Sequence, residues 1–243
     1  MIEKIYDSLN IPSSCKVDKK IFKKQYLDNF ALKQSEKRIL SDDIENITLK
    51  YILTKDNINI QPFVDDTYDY ETISFMEVNI KDIKNYKKIA SIVNILPRPI
   101  ILILVCKNQI CINLNLKRIN QSDKTKLVIE EENFLDWMDL KNLNKNEEEF
   151  IKNLNISTLS FTNFFAFYKE FLDKIIALNL SKYSGSLSKE ANRETLDKIV
   201  LLEDDITSVK NQIKKENDFS IKVNLNVQLK KLNDKLIKLK ENI

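Results

Sequence analysis

Two heptad-spaced rows of apolar residues near the C-terminal end limit the possible folds of this chain more than any other feature. Successive members are spaced 3, 4, 3 and 4 in the first row and 4, 3, 4, 3 and 4 in the second. The rows are Ile199, Leu202, Ile206, Val209 and Ile213, and Leu225, Leu229, Leu232, Leu236, Leu239 and Ile243. Such spacing is typical of helices that pack along each other. Because Asn217 to Ser220 interrupts the pattern, we predict an antiparallel helical hairpin, with a parallel dimer as the alternative.

The residues before this region show the alternation that β-strands require. Apolar and polar residues alternate from Ile47 to Thr54, and Glu71 to Ile80 repeats the pattern. Asp82 to Leu96 has helical spacing and stops at Pro97, which predicts a crossover helix. Ile100 to Val105 is continuously apolar, which predicts a strand buried on both faces. Residues 110–116 then alternate again, so we predict a hairpin that turns near Lys107 and Asn108, and Leu127 to Ile129 is a candidate further strand.

Further helices flank this sheet. Residues 21–44 predict one or two helices, the first capped by Asp18, and residues 158–180 predict a buried helix with an aromatic stripe. The fold class is therefore α+β, a mixed β-sheet domain with flanking helices plus a C-terminal coiled-coil hairpin. We expect the sheet domain to span residues 1–182 and the hairpin residues 187–243. Tyr183 to Leu187, around the single glycine Gly185, is the expected boundary.

The composition excludes several classes of activity. The chain has no histidine, which excludes His-dependent hydrolases and most zinc enzymes. A single glycine excludes a P-loop or a dinucleotide-binding loop, which need several glycines beside phosphate. We predict neither a bound metal nor a cofactor. Lysine and arginine total 39 against 36 acidic residues, so a nucleic-acid site must be a local patch.

The cysteines and the hydropathy predict a cytoplasmic protein. Cys15, Cys106 and Cys111 form no CxxC motif, and an odd number argues against a disulfide framework. Because apolar neighbours raise the pKa of a thiol and no histidine offers a base, buried free thiols are expected. The longest apolar run, Pro99 to Cys106, is far shorter than the roughly 20 residues that a membrane helix needs, so no membrane contact is expected.

One acidic constellation allows an enzymatic interpretation. Glu77 and Asn79 share the polar face of a predicted strand, and Asp65 and Asp66 precede it. A metal-dependent nuclease of the restriction-endonuclease type places carboxylates on neighbouring strands to hold Mg²⁺, with a lysine to position water. Here Asn79 stands where that lysine is needed, and Asp65 and Asp66 lie in a predicted loop. A divergent nuclease centred on Glu77 is therefore the alternative, beside an ordinary polar strand face.

Basic clusters suggest a second alternative, a stand-alone nucleic-acid-binding protein. A lysine-rich face can follow a phosphate backbone of DNA or RNA by releasing counterions. From Ile206 to Ile243 the chain has nine lysines and four acids, but few aromatic residues that could stack on bases. The candidate contacts are Lys19, Lys20, Lys23, Lys24, Lys214, Lys215, Lys222, Lys230, Lys231 and Lys235. A solvated coiled-coil surface explains the same residues without nucleic acid.

Four stretches of the chain resemble the domain-of-unknown-function family 4391. They are DKKIFKKQY at residues 18–26, ETISFMEVNI at 71–80, LPRPIILILV at 96–105 and KKENDFSIKVNLNVQLKKLNDKLIKL at 214–239. The last is the most specific, since the family closes with a similar basic, Asn-containing leucine-heptad segment. The resemblance supplies no catalytic residues. It implies a setting, because such proteins are often encoded beside helicases and DNA methyltransferases of restriction-modification and phage-defence loci.

Together these features favour an accessory or adaptor protein of a bacterial DNA-processing or phage-defence system over an enzyme. The sheet domain would act as a docking module. The hairpin would bind a partner protein, expected to be a helicase or DNA methyltransferase, or a second copy of the chain. The expected contact residues are Leu225, Leu229, Leu232, Leu236 and Leu239.

Overall fold

A computed structural model describes residues 2–187 and 192–241 of the 243-residue chain. In these ranges the secondary structure comprises eight α-helices and nine β-strands. The helices are α1 (Glu3–Leu9), α2 (Lys23–Asn29), α3 (Gln34–Asp42), α4 (Tyr86–Val93), α5 (Lys145–Lys152), α6 (Phe164–Ser184), α7 (Arg193–Lys215) and α8 (Phe219–Lys240). The strands are β1 (Lys16–Ile21), β2 (Ile44–Leu53), β3 (Phe63–Val64), β4 (Asp69–Tyr70), β5 (Ile73–Ile80), β6 (Ile100–Cys106), β7 (Gln109–Ile119), β8 (Leu127–Phe134) and β9 (Met138–Asp139).

Seven of the strands form one mixed sheet, which confirms the predicted fold class. Six of them follow the order β1-β2-β5-β6-β7-β8, and β9 pairs with β7, while β3 and β4 form a separate two-stranded sheet. Only β5 and β6 are parallel, and α4 connects them, as the predicted crossover requires. The hairpin between β6 and β7 turns at Lys107, which has a left-handed backbone with φ 56°. The short β3–β4 sheet flanks Asp65 and Asp66, so the predicted loop around these residues is a turn between two short strands.

A continuous apolar core covers one face of the sheet. Every residue of β6 is buried, as its unbroken apolar run predicts. On this face, alternate residues of β5 such as Met76 and Val78 pack with α2, α3 and α4. The helices contribute Tyr26, Leu40, Ile89, Ala90, Ile92 and Val93.

The predicted helix cap at Asp18 is wrong, because Asp18 lies in the edge strand β1. The strand pairs with β2 only, and its register shifts between Lys16 and Lys19. Asp18 takes the left-handed conformation at this irregularity, with φ 48°, which aspartate tolerates better than most residues. Its carboxylate accepts a hydrogen bond of 2.7 Å from Lys50 on β2, so the side chain ties the irregular edge to the sheet.

Aromatic side chains of α6 pack on the other structural elements of the N-terminal part. Phe171 contacts Phe75 of β5 edge-to-face, with ring centroids 6.1 Å apart. The hydroxyl of Tyr168 lies 2.8 Å from the carbonyl oxygen of Ile100 and accepts a hydrogen bond from the amide of Asn115. The aromatic stripe of the predicted helix is therefore core, although the helix begins at Phe164 and not at Thr158.

The chain divides into two compact units, residues 1–175 and 176–243, with the division inside α6. Gly185, with φ 78°, directly follows the end of α6 in the expected boundary segment. In the second unit α7 and α8 pack on each other, and Glu216 to Asp218 connects them. Both helices begin at a side-chain cap, since Asn192 accepts a hydrogen bond from the amide of Thr195 and Asp218 from that of Ile221.

Candidate functional site

The outer surface of the helical hairpin is the first candidate interaction site in the described residues. No residue of the 22-residue helix α8 is fully buried. The five predicted partner-binding leucines, Leu225, Leu229, Leu232, Leu236 and Leu239, are all partly buried in this helix, which packs on α7. This heptad row of leucines is therefore expected to form the seam between α7 and α8. A partner protein must then also contact other residues of α8.

Several apolar side chains lie outside this seam and face solvent. Phe219, Val223 and Val227 follow each other at intervals of four residues and are 80%, 45% and 51% exposed. This interval places them on one side of the helix. Ile237 of α8 and Val200 and Leu201 of α7 are also exposed. We call Phe219, Val223 and Val227 the apolar stripe of α8.

The same helix is strongly basic. Six of its residues are lysines and one, Asp234, is an acid. Its C-terminal half carries Lys230, Lys231 and Lys235, all exposed, after the apolar stripe of its N-terminal half. Lys214 and Lys215 at the end of α7 are exposed as well, whereas Lys222 is partly buried. The hairpin thus presents an apolar segment followed by a basic one.

The lysines of the predicted basic cluster in the first unit differ in exposure and in hydrogen bonding. Lys19 and Lys20 are exposed on the edge strand β1, and Lys24 is exposed on α2. Lys23 instead donates hydrogen bonds to the carbonyl oxygens of Ser41 and Ile44, where α3 ends and β2 begins. Partial burial lowers the pKa of Lys23, so this ammonium stabilises a chain connection and is a poor candidate for phosphate binding.

Glu77 lies in a hydrogen-bonded polar cluster on β5. Its carboxylate accepts one hydrogen bond from the Tyr6 hydroxyl at 2.8 Å and another from the Asn79 amide at 3.0 Å. Asn79 also donates to Asn46 at 2.9 Å. The pKa of Lys50 is raised overall. Burial alone would lower it, but the hydrogen bond to Asp18 and the negative charge of Glu77 outweigh the effect of burial. Both carboxylate oxygens of Glu77 thus already have protein partners.

The acids upstream of Glu77 have a local structural role. The Asp65 carboxylate accepts hydrogen bonds from the amides of Thr67 and Tyr68, at 2.7 and 2.6 Å, in the turn between β3 and β4. Asp66, the next residue in this turn, is exposed. Within residues 2–187 and 192–241, no group of three or more His, Cys, Asp or Glu side chains could hold a metal ion. The helices of these ranges include none that is long and apolar enough to cross a membrane.

The most unusual charged group of the first unit is one that the sequence analysis missed. Lys117, on β7, is only 1% exposed. Its ammonium donates to the carbonyl oxygens of Asn94, Leu96 and Arg98 at 2.8, 2.9 and 2.9 Å, in the segment between α4 and β6. Three acceptors match the three N–H groups of the protonated form, but burial, together with the nearby charge of Arg98, lowers the pKa of Lys117 to about 7.

Asn113 and Asn115 continue this polar row along β7. Both side chains are fully buried. Asn113 accepts a hydrogen bond from Asn94 at 2.9 Å and donates to Asn115 at 2.9 Å. The alternation of Asn113, Asn115 and Lys117 with apolar residues was the available sequence signal, and by itself it suggests a solvent-facing side. The polar row instead fixes the segment that follows α4.

All three cysteines are buried, as the apolar runs around Cys106 and Cys111 predict for those two. Burial raises the pKa of Cys15 and of Cys106, which keeps these thiols protonated. Cys111 donates to the carbonyl oxygen of Leu135 at 3.0 Å. No reactive thiol therefore adds to the candidate sites in the described part of the chain.

Fold and surface define an α+β protein in which a mixed sheet is followed by a basic helical hairpin. The family model named Domain of unknown function (DUF4391) matches residues 9–236, and the chain belongs to this family. The match confirms the resemblance found in the sequence. No curated protein and no solved structure matches the chain.

Proposed function

We propose that this protein is an accessory subunit that binds a partner protein through the outer surface of its C-terminal hairpin. The observation that carries the proposal is α8, a helix of 22 residues with no fully buried side chain and with an exposed apolar stripe at Phe219, Val223 and Val227. A helix gains most of its stability in proteins by burying an apolar face. A helix with apolar residues on a second, open side is typical of a surface that another protein covers.

The charge of α8 favours a partner of a different kind over a second copy of this chain. Six lysines against one acid give the helix an excess of positive charge. If two copies met through α8, two helices with the same net positive charge would face each other, and their repulsion costs affinity. An acidic surface beside an apolar groove complements α8 better. The family setting suggests a helicase or a DNA methyltransferase of a bacterial defence system as the protein that provides it.

Site-specific cross-linking in the native host tests this proposal with the full chain. A photoreactive amino acid at Val227 should capture a helicase or methyltransferase. The matched control is the same amino acid at Ile129 of β8, which is 40% exposed and lies in the other unit, whereas Val227 is 51% exposed. Capture from position 227 and not from position 129 supports the proposal. Equal capture from both positions, or capture of only a second copy of this chain, contradicts it.

The purified partner then allows a quantitative test. Val223→Asp and Val227→Asp should each weaken binding at least tenfold, because each places a carboxylate in a desolvated apolar contact. Asn224→Asp is the control, since it changes an exposed residue of the same helix outside the apolar stripe. Equal losses from all three changes would show that charge alone determines binding.

Nucleic acid is the second candidate partner, and the observation behind it is the exposed row Lys230, Lys231 and Lys235. Binding through these residues should weaken steeply with salt and fall on reversal of their charge to Glu. The change of Val227→Asp should then have no more effect than any other added negative charge. The two candidates therefore predict different losses of affinity. For a protein partner, Val227→Asp should lower affinity more than Asn224→Asp does, whereas for nucleic acid the two changes should have equal effects.

A further inference from the structure

A cavity of about 270 Å³ opens in the first unit, beside the apolar core of the sheet. Side chains from β1, α2, β2 and β5 and from the segment before β6 surround it. Its walls are mainly apolar, from Ile21, Phe30, Leu49, Met76 and Leu96. Gln25, Asn29, Tyr26, Ser74 and Arg98 provide the polar groups. The volume is slightly below the roughly 300–1,000 Å³ of sites for drug-sized ligands, so the cavity suits a small molecule.

Two hydroxyl groups of the lining residues lack a hydrogen-bond partner in the described part of the chain. They belong to Tyr26, which is 1% exposed, and Ser74, which is completely buried. Buried hydroxyl groups in native proteins nearly always have a partner. Burial raises the pKa of Tyr26, which therefore keeps its proton and can donate it in a hydrogen bond. These two orphan hydroxyls, one from α2 and one from β5, indicate a ligand with oxygen acceptors.

The charge at the cavity is positive. Among the described residues of the lining, Arg98 alone is charged, and its side chain is exposed, so it lies on the solvent side. Ser74 lies beside the next residue of the chain, because its amide donates to the carbonyl oxygen of Pro99 at 3.1 Å. The buried Lys117 holds the same segment through the carbonyl oxygen of Arg98. No carboxylate lines the cavity or forms an ion pair with Arg98 in the residues described.

We propose that this cavity binds a small amphipathic carboxylate. The apolar body of the ligand lies among Phe30, Leu49 and Met76, and its carboxylate pairs with the guanidinium of Arg98. A carboxylate has four acceptor sites, so it also accepts hydrogen bonds from the hydroxyls of Tyr26 and Ser74. The site lies entirely in the first unit and is independent of the proposed hairpin contact.

Titration calorimetry of the full chain with octanoate, 1-octanol and octylamine tests the charge and the apolar body separately. Octanoate should bind in a 1:1 complex at least tenfold more tightly than 1-octanol, because a charge-assisted hydrogen bond is lost in the alcohol. Octylamine should bind least. Shortening the carboxylate should lower affinity by up to about fourfold for each methylene removed.

Arg98→Gln should lower the affinity for octanoate at least tenfold and leave that for 1-octanol unchanged. Arg38→Gln is the matched control, an exposed arginine on α3 that does not line the cavity. A lack of octanoate binding would overturn the proposal, as would equal affinities for octanoate and 1-octanol or an unchanged affinity in Arg98→Gln.

Methionine methyl NMR gives a second readout that needs no variant. Met76 lines the cavity, whereas Met138 of β9 does not, and both are 2% exposed. Saturating octanoate should shift the methyl resonance of Met76 and leave that of Met138 in place. Shifts of Met138 alone, or equal shifts of both, would place the ligand elsewhere and overturn the proposal.

Discussion

The sheet and the hairpin of this protein use their apolar residues in opposite ways. In β6 all seven residues are buried, and even the polar row Asn113, Asn115 and Lys117 on β7 is enclosed. In α8 no residue is fully buried, and residues as apolar as Phe219 face solvent. The sheet therefore encloses both its apolar residues and the polar row of β7, whereas the hairpin leaves apolar surface open.

Because of this contrast, we expect the sheet to determine the stability of the protein and the outer face of α8 to determine its binding to a partner. In a fully packed core, a small change in volume or hydrogen bonding costs free energy of unfolding, because the surroundings relax only partly. On an open helix surface, the same kind of change has little effect on the free energy of unfolding of the unbound protein. Substitutions in the sheet should therefore change the stability of unit 1, and substitutions on the outer face of α8 should change association.

The largest expected effect comes from Lys117→Met. Methionine has an unbranched side chain of similar length but no ammonium group. The variant therefore removes the donor shared by the carbonyls of Asn94, Leu96 and Arg98. Each buried polar group left unpaired costs about 1–3 kcal/mol, so we expect a loss on the order of 4 kcal/mol at pH 9, where the cost of burying the charged amine is smaller than at pH 7. Urea unfolding followed by the fluorescence of Trp137, the single tryptophan of the chain, measures it in unit 1.

Lys37→Met is the matched control, because Lys37 is an exposed lysine on α3. It should leave the urea midpoint within experimental error of the parent protein. If Lys117→Met were equally silent, the ammonium of Lys117 would contribute nothing to the segment after α4. The contrast between an enclosed sheet and an open hairpin would then lose its main polar example.

The second-largest expected effect is a difference in the free energy of unfolding between the same Leu→Ala substitution in the sheet and in the hairpin. Leu102→Ala in β6 removes a completely buried side chain and should cost about 3 kcal/mol. Leu232→Ala in α8 removes a partly buried one and should cost about 1 kcal/mol, because part of the side chain already contacts water. Amide hydrogen exchange of β6 and of α8 reports each loss in its own unit. Equal costs would mean that the heptad seam is packed as densely as the sheet.

A pH dependence specific to Lys117 is the third expected effect. Burial sets its pKa at about 7 in the folded protein, below the ordinary 10.5, so between these values the unfolded chain binds more protons. The free energy of unfolding therefore rises with pH, by about 2 kcal/mol between pH 7 and pH 9 from this group. The rise should be present in the parent protein and absent from Lys117→Met. A parallel rise in both proteins would assign the dependence to other groups.

The sheet was predictable where its residues alternate or are uniformly apolar, and not elsewhere. The strand β6 and its hairpin with β7 follow from residues 100–116, since burial on both faces selects a continuous apolar run. The edge strand β1 was missed because five of its six residues are exposed and carry no apolar period. Lysines on an edge strand also discourage pairing with other chains, which gives Lys19 and Lys20 a structural reason without nucleic acid.

The candidate sites were less predictable than the fold. Lys117 and Arg98 are separated by the whole of β6 in the sequence and meet only when the sheet forms. The cavity likewise depends on Tyr26, Ser74 and Arg98, which no local motif links. The hairpin is the opposite case, because a heptad pattern is local and fixes helix pairing by itself. Even so, the heptad leucines indicate the seam, while the exposed apolar stripe of α8 lies outside the pattern.

The smallest expected effect on stability is the most informative for the hairpin. Val227→Asp changes an exposed side chain, so the free energy of unfolding should change by no more than about 0.5 kcal/mol, as for most surface substitutions. Hydrogen exchange of α8 in the isolated protein checks this. The same variant should lose most of its affinity for the partner captured at this position. A large loss of protection in the isolated protein would mean that Val227 already packs within the chain, and the open side of α8 would no longer indicate a binding surface.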